Sequence, residues 1–217
     1  MRFIKKSPEP ESFLQWKNDH ASNPGLSYER LRNPVKATLH QALVLEQGFI
    51  CCYCCNRITL DKHHIEHIRP KAHYPELQLD YTNLLACCQG GIEEAPPRQI
   101  HCGHKKGDWY DEELMVSPTS PDCGSYFRYT SLGEILPTDD ESKRAAGEAT
   151  IEHLGLENEK LTAARKRALD AVLEVLDKLT EDQGRRLIRT LGERDSSGKY
   201  TPFCSAIVHV LKQYFSG

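Results

Sequence analysis

Seven of the nine cysteines lie between Cys51 and Cys102, and six of the ten histidines (His63, His64, His67, His73, His101, His104) fall in the same window. Simple proportion of length would place about two cysteines there. The cysteine total is odd, and Met1-Arg2-Phe3-Ile4-Lys5-Lys6 runs at once into Pro8, Glu9, Pro10 and Glu11. That is no apolar leader, and no run approaches the roughly 18 apolar residues of a spanning helix. The expectation is a cytoplasmic chain without a membrane segment, in which clustered Cys and His mean metal before they mean disulfides.

Cys51-Cys52-Tyr53-Cys54-Cys55 contains two overlapping Cys-x2-Cys frames, and Cys87-Cys88 with Cys102 supplies a second half. Zinc accepts four thiolates in a tetrahedron, and two ligand pairs on separate turns close such a site. The site would stabilise folding by on the order of 10 kcal/mol, enough to hold a segment poor in apolar residues. The plainer alternative is that several of these cysteines are small buried hydrophobes. Only one member of each adjacent pair need bind, and the isolated Cys123 and Cys204 read as core residues.

Between the cysteine groups runs His63-His64-Ile65-Glu66-His67-Ile68-Arg69-Pro70-Lys71, then Tyr81-Thr82-Asn83-Leu84-Leu85. A carboxylate beside a histidine at a strand end offers a hard oxygen ligand next to an imidazole base, the pair needed for metal-assisted phosphodiester hydrolysis. Taken alone, His67 reads as readily as a zinc ligand or a surface residue as it does as a catalytic base; the flanking cysteines and Asn83 tip the balance.

The chain divides into a helical segment over 1–48, a metal-pinned domain over 49–138 and a helical region over 139–217. The first holds a broken helix over 11–19 and a better one with Asn33 as N-cap, Pro34 at N1 and Gly48 beyond its end. Residues 49–110 read as short strands and loops with turns at Gln89-Gly90-Gly91 and Ala95-Pro96-Pro97. Residues 126–129 and 135–136 suggest a small hairpin. Farther on, Gly155 closes one helix and Asn158 caps the next, whose apolar stripe is Leu161, Leu169, Val172, Leu173 and Leu176. A last helix opens at Thr201-Pro202 with Ile207, Leu211 and Tyr214 on one face. Net charge is −3, which excludes a protein that coats nucleic acid over its whole surface. Basic contacts would be local: Arg69, Lys71, Arg98, Lys105 and Lys106, the last two on a short helix suited to a phosphate. Arg165-Lys166-Arg167 and Arg185, Arg186 and Arg189 read as a solvated helix face, and Trp109 and Tyr110 as packing.

The ordered run Cys-x2-Cys, Glu66-His67-Ile68-x-Pro70, Asn83-Leu84-Leu85, Cys88, and Cys102-x3-Lys106-Gly107-Asp108 resembles the zinc-containing HNH nucleases of ββα-metal fold. The fuller run 65–71, Tyr74-Pro75-Glu76-Leu77 and 80–85 is similar to the PtuB-type HNH nucleases of Septu and retron-associated anti-phage systems. The core match covers residues 50–110, and a looser one continues through Tyr126-Phe127, Gly133-Glu134-Ile135, residues 151–156, Leu161 and Arg165. The resemblance implies an α+β, mostly helical fold: a small zinc-stabilised ββα-metal core flanked by N-terminal and C-terminal helices. It implies His67 as general base, Glu66 as ligand of a catalytic Mg2+ or Mn2+ ion, and Asn83 as the residue that orders the loop and holds the base ring. It implies structural zinc on Cys51, Cys54, Cys88 and Cys102. It also implies nucleic acid as substrate, DNA ahead of RNA, and a PtuA-like ATPase of SMC or ABC type as partner.

One departure stands out. Nucleases of this kind place His, Asn or Asp one residue after the last cysteine, where this chain has Gly103 followed by His104. Three readings stay open: His104 takes the ligand role after a register shift; Glu66, waters and substrate phosphate hold the ion; or the nuclease is weakened or inactive. The competing function is a non-catalytic zinc module that binds nucleic acid or a partner, with Gly103 as its support. A zinc deaminase is weaker still, since its His-x-Glu and Pro-Cys-x2-Cys order is absent.

Overall fold

The computed structural model describes residues 1–91, 99–176 and 179–215. The turn expected at Ala95-Pro96-Pro97 and the basic Arg98 lie outside them. Two short helices open the chain, α1 over Glu11–Asp19 and α2 over Val35–Glu46. In α2 the cap is Pro34 rather than Asn33, with no side-chain bond to the first turn. Leu39, Leu43 and Val44 are the residues it buries. Gly48, with φ of +60°, ends the segment as expected, and a side chain there would meet the Tyr200 ring.

Strand β1, His64–His67, pairs antiparallel with β2, Leu84–Cys87, placing Glu66 opposite Leu85 and His67 opposite Leu84. All four residues of β2 are buried, so it reads as a continuous apolar run rather than an alternating one. Gln47 reaches in from the end of α2 and completes its backbone bonding: Oε1 accepts from Ala86 N–H at 2.7 Å and Nε2 donates to Ala86 O at 2.7 Å. One turn of helix follows, α3 over Gly103–Lys106.

The expected hairpin is present as β3, Phe127–Tyr129, against β4, Ile135–Pro137. Helix α4, Glu141–Leu154, lies against β4 and α3 and ends at Gly155 in the left-handed region. Helix α5, Glu159–Leu173, starts at Asn158, whose side chain accepts from the Lys160 N–H. Then come α6, Glu181–Gly192, and α7, Cys204–Tyr214, packed on one another. Helix α7 begins two residues later than the Thr201-Pro202 signal. Its buried face is Ile207, Val210 and Leu211; Tyr214 is 53% exposed, and Phe215 turns inward onto Gly184 instead. A single apolar cluster connects residues from Met1 and Phe13 through Leu84 and Leu85 to Leu211, with Cys123 in it and Cys204 in a small satellite beside Ile50 and Cys55. Among the described residues, no helix is long and apolar enough to cross a membrane.

Candidate metal centre and the adjoining His and Glu cluster

The thiols converge because three chain segments end at one point. The turn after α2 brings Cys51 and Cys54, the end of β2 brings Cys87 and Cys88, and Cys102 immediately precedes α3. The Sγ atoms of Cys51, Cys87, Cys88 and Cys102 all lie within 4.8 Å of one another and are buried. Cys51 is 3.7 Å from Cys87 and 3.9 Å from Cys102, and Cys54 is 3.9 Å from Cys88. The edge of a tetrahedron with Zn–S bonds of 2.3 Å is about 3.8 Å. Four thiols therefore stand mutually at ligand spacing, with Cys87 where the sequence had Cys54; Cys54 lies at that spacing from Cys88, and all five are free rather than disulfide-bonded. Backbone N–H groups aim at two of the sulfurs, Gly103 at Cys87 (3.3 Å) and Asn56 at Cys54 (3.5 Å).

Burial pushes the Cys87 and Cys102 thiols well above their ordinary range. At Cys51 burial acts in the same direction but is outweighed by hydrogen bonds from Cys102, Cys52, Cys54 and Cys87, which hold it well below. A cation would displace protons from the thiols. Buried, closely spaced sulfurs are a soft donor set that fits zinc. Cys102 has φ of 57°, unusual for a residue with a side chain, and its N–H donates to Leu154 O at 2.7 Å, so the end of α4 helps hold this corner.

Glu66 is 7% exposed and sits beside the thiols. Its Oε1 accepts from the Tyr53 hydroxyl at 3.1 Å and from Lys106 Nζ at 3.0 Å, while Lys106 Nζ also donates to His67 O at 2.9 Å. Lys106 is thus a buried counter-ion, 4% exposed, and not the phosphate contact expected from the sequence. Burial works to raise the Glu66 carboxyl, but His64 and Lys106 overcome it and hold the group below its ordinary value. Oε2 faces the other way, 3.6 Å from His64 Nε2. The His104 ring lies 4.3 Å, centroid to centroid, from that of His64.

His67 Nε2 lies 3.1 Å from the carbonyl oxygen of Gln78. A carbonyl only accepts, so Nε2 carries the proton and Nδ1 keeps its lone pair. Burial lowers the imidazole's proton affinity, leaving it neutral near pH 7. Asn83 does not touch the ring. Its Oδ1 accepts from Arg69 N–H (2.8 Å) and its Nδ2 donates to Arg69 O (3.0 Å) and Leu77 O (3.1 Å), which clasps the 69–78 loop whose end presents the Gln78 carbonyl. Tyr28 meets His67 edge to face at 5.0 Å.

Of the expected basic residues, Arg69 bonds Tyr110 and Glu112, Lys71 pairs with Glu29, and Lys105 is exposed. Arg165 is not on a solvated face: it is 2% exposed and donates to the carbonyls of Gly133 and Leu156. Trp109 stacks on His153 at 4.1 Å, a packing role as expected. Sequence reasoning passed over His64, Tyr53 and the Gln78 carbonyl. His64 was signalled by its place two residues before Glu66, on the same face of a strand; nothing local signals a backbone carbonyl eleven residues away.

An α+β protein built around a cysteine-rich centre able to hold a metal ion is the class that fold and site define. No family model matches the chain. Over 147 residues it is 32% identical to the "Retron Vc95 putative HNH endonuclease" of Vibrio cholerae serotype O1 biovar El Tor, an alignment covering 65% of this chain and 68% of that protein. The chain belongs to that family of HNH endonucleases.

Proposed function

We propose that this chain is a metal-dependent endonuclease that hydrolyses phosphodiester bonds of nucleic acid, DNA ahead of RNA, as an effector of bacterial anti-phage defence of the retron and Septu, PtuB-like kind. The observation that carries the chemistry is His67, neutral, with Nε2 tied to Gln78 O and Nδ1 free, next to a buried carboxylate with one oxygen pinned and the other facing His64 and Gly103. His67 Nδ1 takes the proton of the attacking water; the Gln78 carbonyl and the Asn83-clasped loop keep the ring in that tautomer. Glu66 and His67 are adjacent at the end of β1, so a phosphate bound at that strand end would meet both the carboxylate and the base. Glu66 and His104 would hold a Mg2+ or Mn2+ ion, which when bound supplies charge stabilisation at the phosphate and its leaving oxygen.

Strands β1 and β2 with α3 form the ββα-metal unit in this reading. Zinc is held by Cys51, Cys54, Cys88 and Cys102, with Cys87 packed against them. We take Cys54 from the Cys51-x2-Cys54 frame of the resemblance, with Cys87, 3.7 Å from Cys51, as the rival fourth ligand. Exposed Lys105 and Arg69 would meet the phosphate backbone. The partner is a PtuA-like ATPase, which suits a chain of net charge −3 that does not seek nucleic acid by charge alone.

The pairing of Glu66 with Lys106 also suits a non-catalytic zinc module, so the decisive experiment is cleavage. Purified chain, alone and with its ATPase, is given plasmid DNA and bulk RNA with and without Mg2+ or Mn2+, beside His67→Ala. Cutting that requires the ion and falls at least about 100-fold in His67→Ala supports the nuclease. Cutting that His67→Ala leaves intact removes the assigned base, and binding without cutting in every arm leaves the zinc module.

A further inference from the structure

Gly103 stands where an ion ligand would be expected, and the structure shows what fills its place. A Cβ at position 103 would lie 2.3 Å from Glu66 Oε2 and 2.6 Å from His64 Nε2. No side chain fits there while those two groups occupy the space. They do so because His64 and Glu66, two residues apart on β1, share one face of the strand, and that face abuts the start of α3.

His64 makes no hydrogen bond of ordinary length. Its Nε2 is 3.6 Å from Glu66 Oε2, beyond a good hydrogen bond. Its Nδ1 is buried and has no hydrogen-bond partner. Two ligands sharing an ion at bonds of about 2.1 Å are separated by roughly 3.4 Å in a tetrahedron and about 3.0 Å in adjacent octahedral positions. The observed gap closes to that span with a movement of a few tenths of an ångström. Tyr53 and Lys106 occupy Oε1 of Glu66, so Oε2 is the oxygen free to bind; the His104 ring lies against that of His64, 4.3 Å centroid to centroid, and would join the pair by a side-chain movement.

Building on the nuclease reading above, we propose that His64 is a ligand of the divalent ion, completing with Glu66 Oε2 and His104 a site that Gly103 makes room for. The glycine is then a requirement of this site and not a lost ligand. Two imidazoles and one carboxylate prefer Mn2+ and later transition ions to Mg2+, whose ligands are oxygens.

The test is a Mn2+ titration of the full-length, zinc-loaded chain followed by electron paramagnetic resonance, with nitrogen modulation of the bound Mn2+ signal as the direct readout of imidazole ligation. Wild type should bind one Mn2+ beside its zinc, with modulation from two imidazoles and tighter binding than Mg2+ in competition. His64→Ala should lose one nitrogen and bind Mn2+ at least about tenfold more weakly. His64→Gln, which keeps most of the bulk, repeats the measurement should the alanine variant lose zinc. Gly103→Ala should weaken Mn2+ comparably, and His67→Ala should bind it as wild type does. Unchanged affinity and nitrogen modulation in both His64 variants would overturn the proposal while leaving the ion site of the nuclease reading standing. A wild-type chain that binds no Mn2+ overturns both.

Discussion

Glu66 and Lys106 show how one residue pair can serve both stability and site. Both are almost fully buried, and Lys106 Nζ bridges Glu66 Oε1 and the carbonyl of His67. Removing one member of a buried ion pair strands the other without water, which typically destabilises by about 3–5 kcal/mol. Lys106→Met should therefore lower unfolding free energy in urea by about 3 kcal/mol, with Glu66→Gln in the same chain restoring part of it. A loss below about 1 kcal/mol would show that Lys106 does not carry the charge of Glu66. Linkage gives the same pair a pH signature. Because the Glu66 carboxyl is held below its ordinary value in the fold, its contribution is present above the unfolded carboxylate's pKa and lost as pH falls through the lowered one.

Two glycines of positive φ separate conformational strain from collision at the level of the elements. Gly107, φ +54°, ends α3 with nothing within 4 Å of a Cβ, whereas Gly133, φ +83°, turns β3 into β4 directly over α5, where a Cβ would meet Thr162 O at 2.4 Å and Lys166 N at 2.6 Å. Gly107, at φ +54° and ψ −126°, lies outside the left-handed helical region, so Gly107→Ala should cost a backbone penalty of about 1–3 kcal/mol and no collision. Gly133→Ala must also push the hairpin off the helix and should cost clearly more, read as the difference in denaturation midpoint at equal slope. The turn signal at Ser131-Leu132-Gly133-Glu134 was legible in sequence; the helix backbone pressed against it was not. Helix α5 teaches a similar lesson. Leu161, Arg165 and Leu169 recur at a spacing of four and all three are buried, so the stripe of the helix ran through the arginine. Its charge argued for solvent, but the carbonyls of Gly133 and Leu156 gave its guanidinium partners that no local pattern displays.

Metal is expected to govern the stability of the whole molecule. The thiol centre joins the turn after α2, the end of β2 and the start of α3, and through the Cys102 N–H it reaches the end of α4. Elemental analysis should find one zinc per chain. Chelation should lower the melting temperature sharply, since a structural zinc can contribute on the order of 10 kcal/mol. Cys51→Ser, Cys54→Ser and Cys102→Ser should lose zinc and solubility, while Cys52→Ser, Cys55→Ser and Cys87→Ser should keep it; zinc retained in Cys54→Ser and lost in Cys87→Ser would exchange those two roles. Acid should act on the whole fold through half-buried histidines. His40 on α2, pressed down to about 4 by burial with help from His63, Lys36 and His64, and His209 on α7, lowered by burial, Arg128, Lys212 and the Met1 amine, both resist protonation. The unfolded chain binds those protons more readily, so stability should be full above the ordinary histidine pKa and decline as pH falls toward 4. A melting temperature flat from pH 7 to pH 5 would contradict this.

Much of this protein can be read without coordinates because its signals are local. Cysteine spacing announces a centre able to hold a metal ion, and helix caps such as Asn158 and Gly155 mark ends. Helix and strand periods are properties of a few consecutive residues, and so is the pairing of ligand types. The folded arrangement settled matters that depend on contacts between distant segments. Five thiols rather than four reach one place, Lys106 turns inward to Glu66 across 40 residues, Asn83 acts through a loop rather than on a ring, and His64 fills the space beside Gly103. Each depends on a distance or a desolvated volume created when β1, β2 and α3 meet, and the sequence carries no short-range record of such a volume.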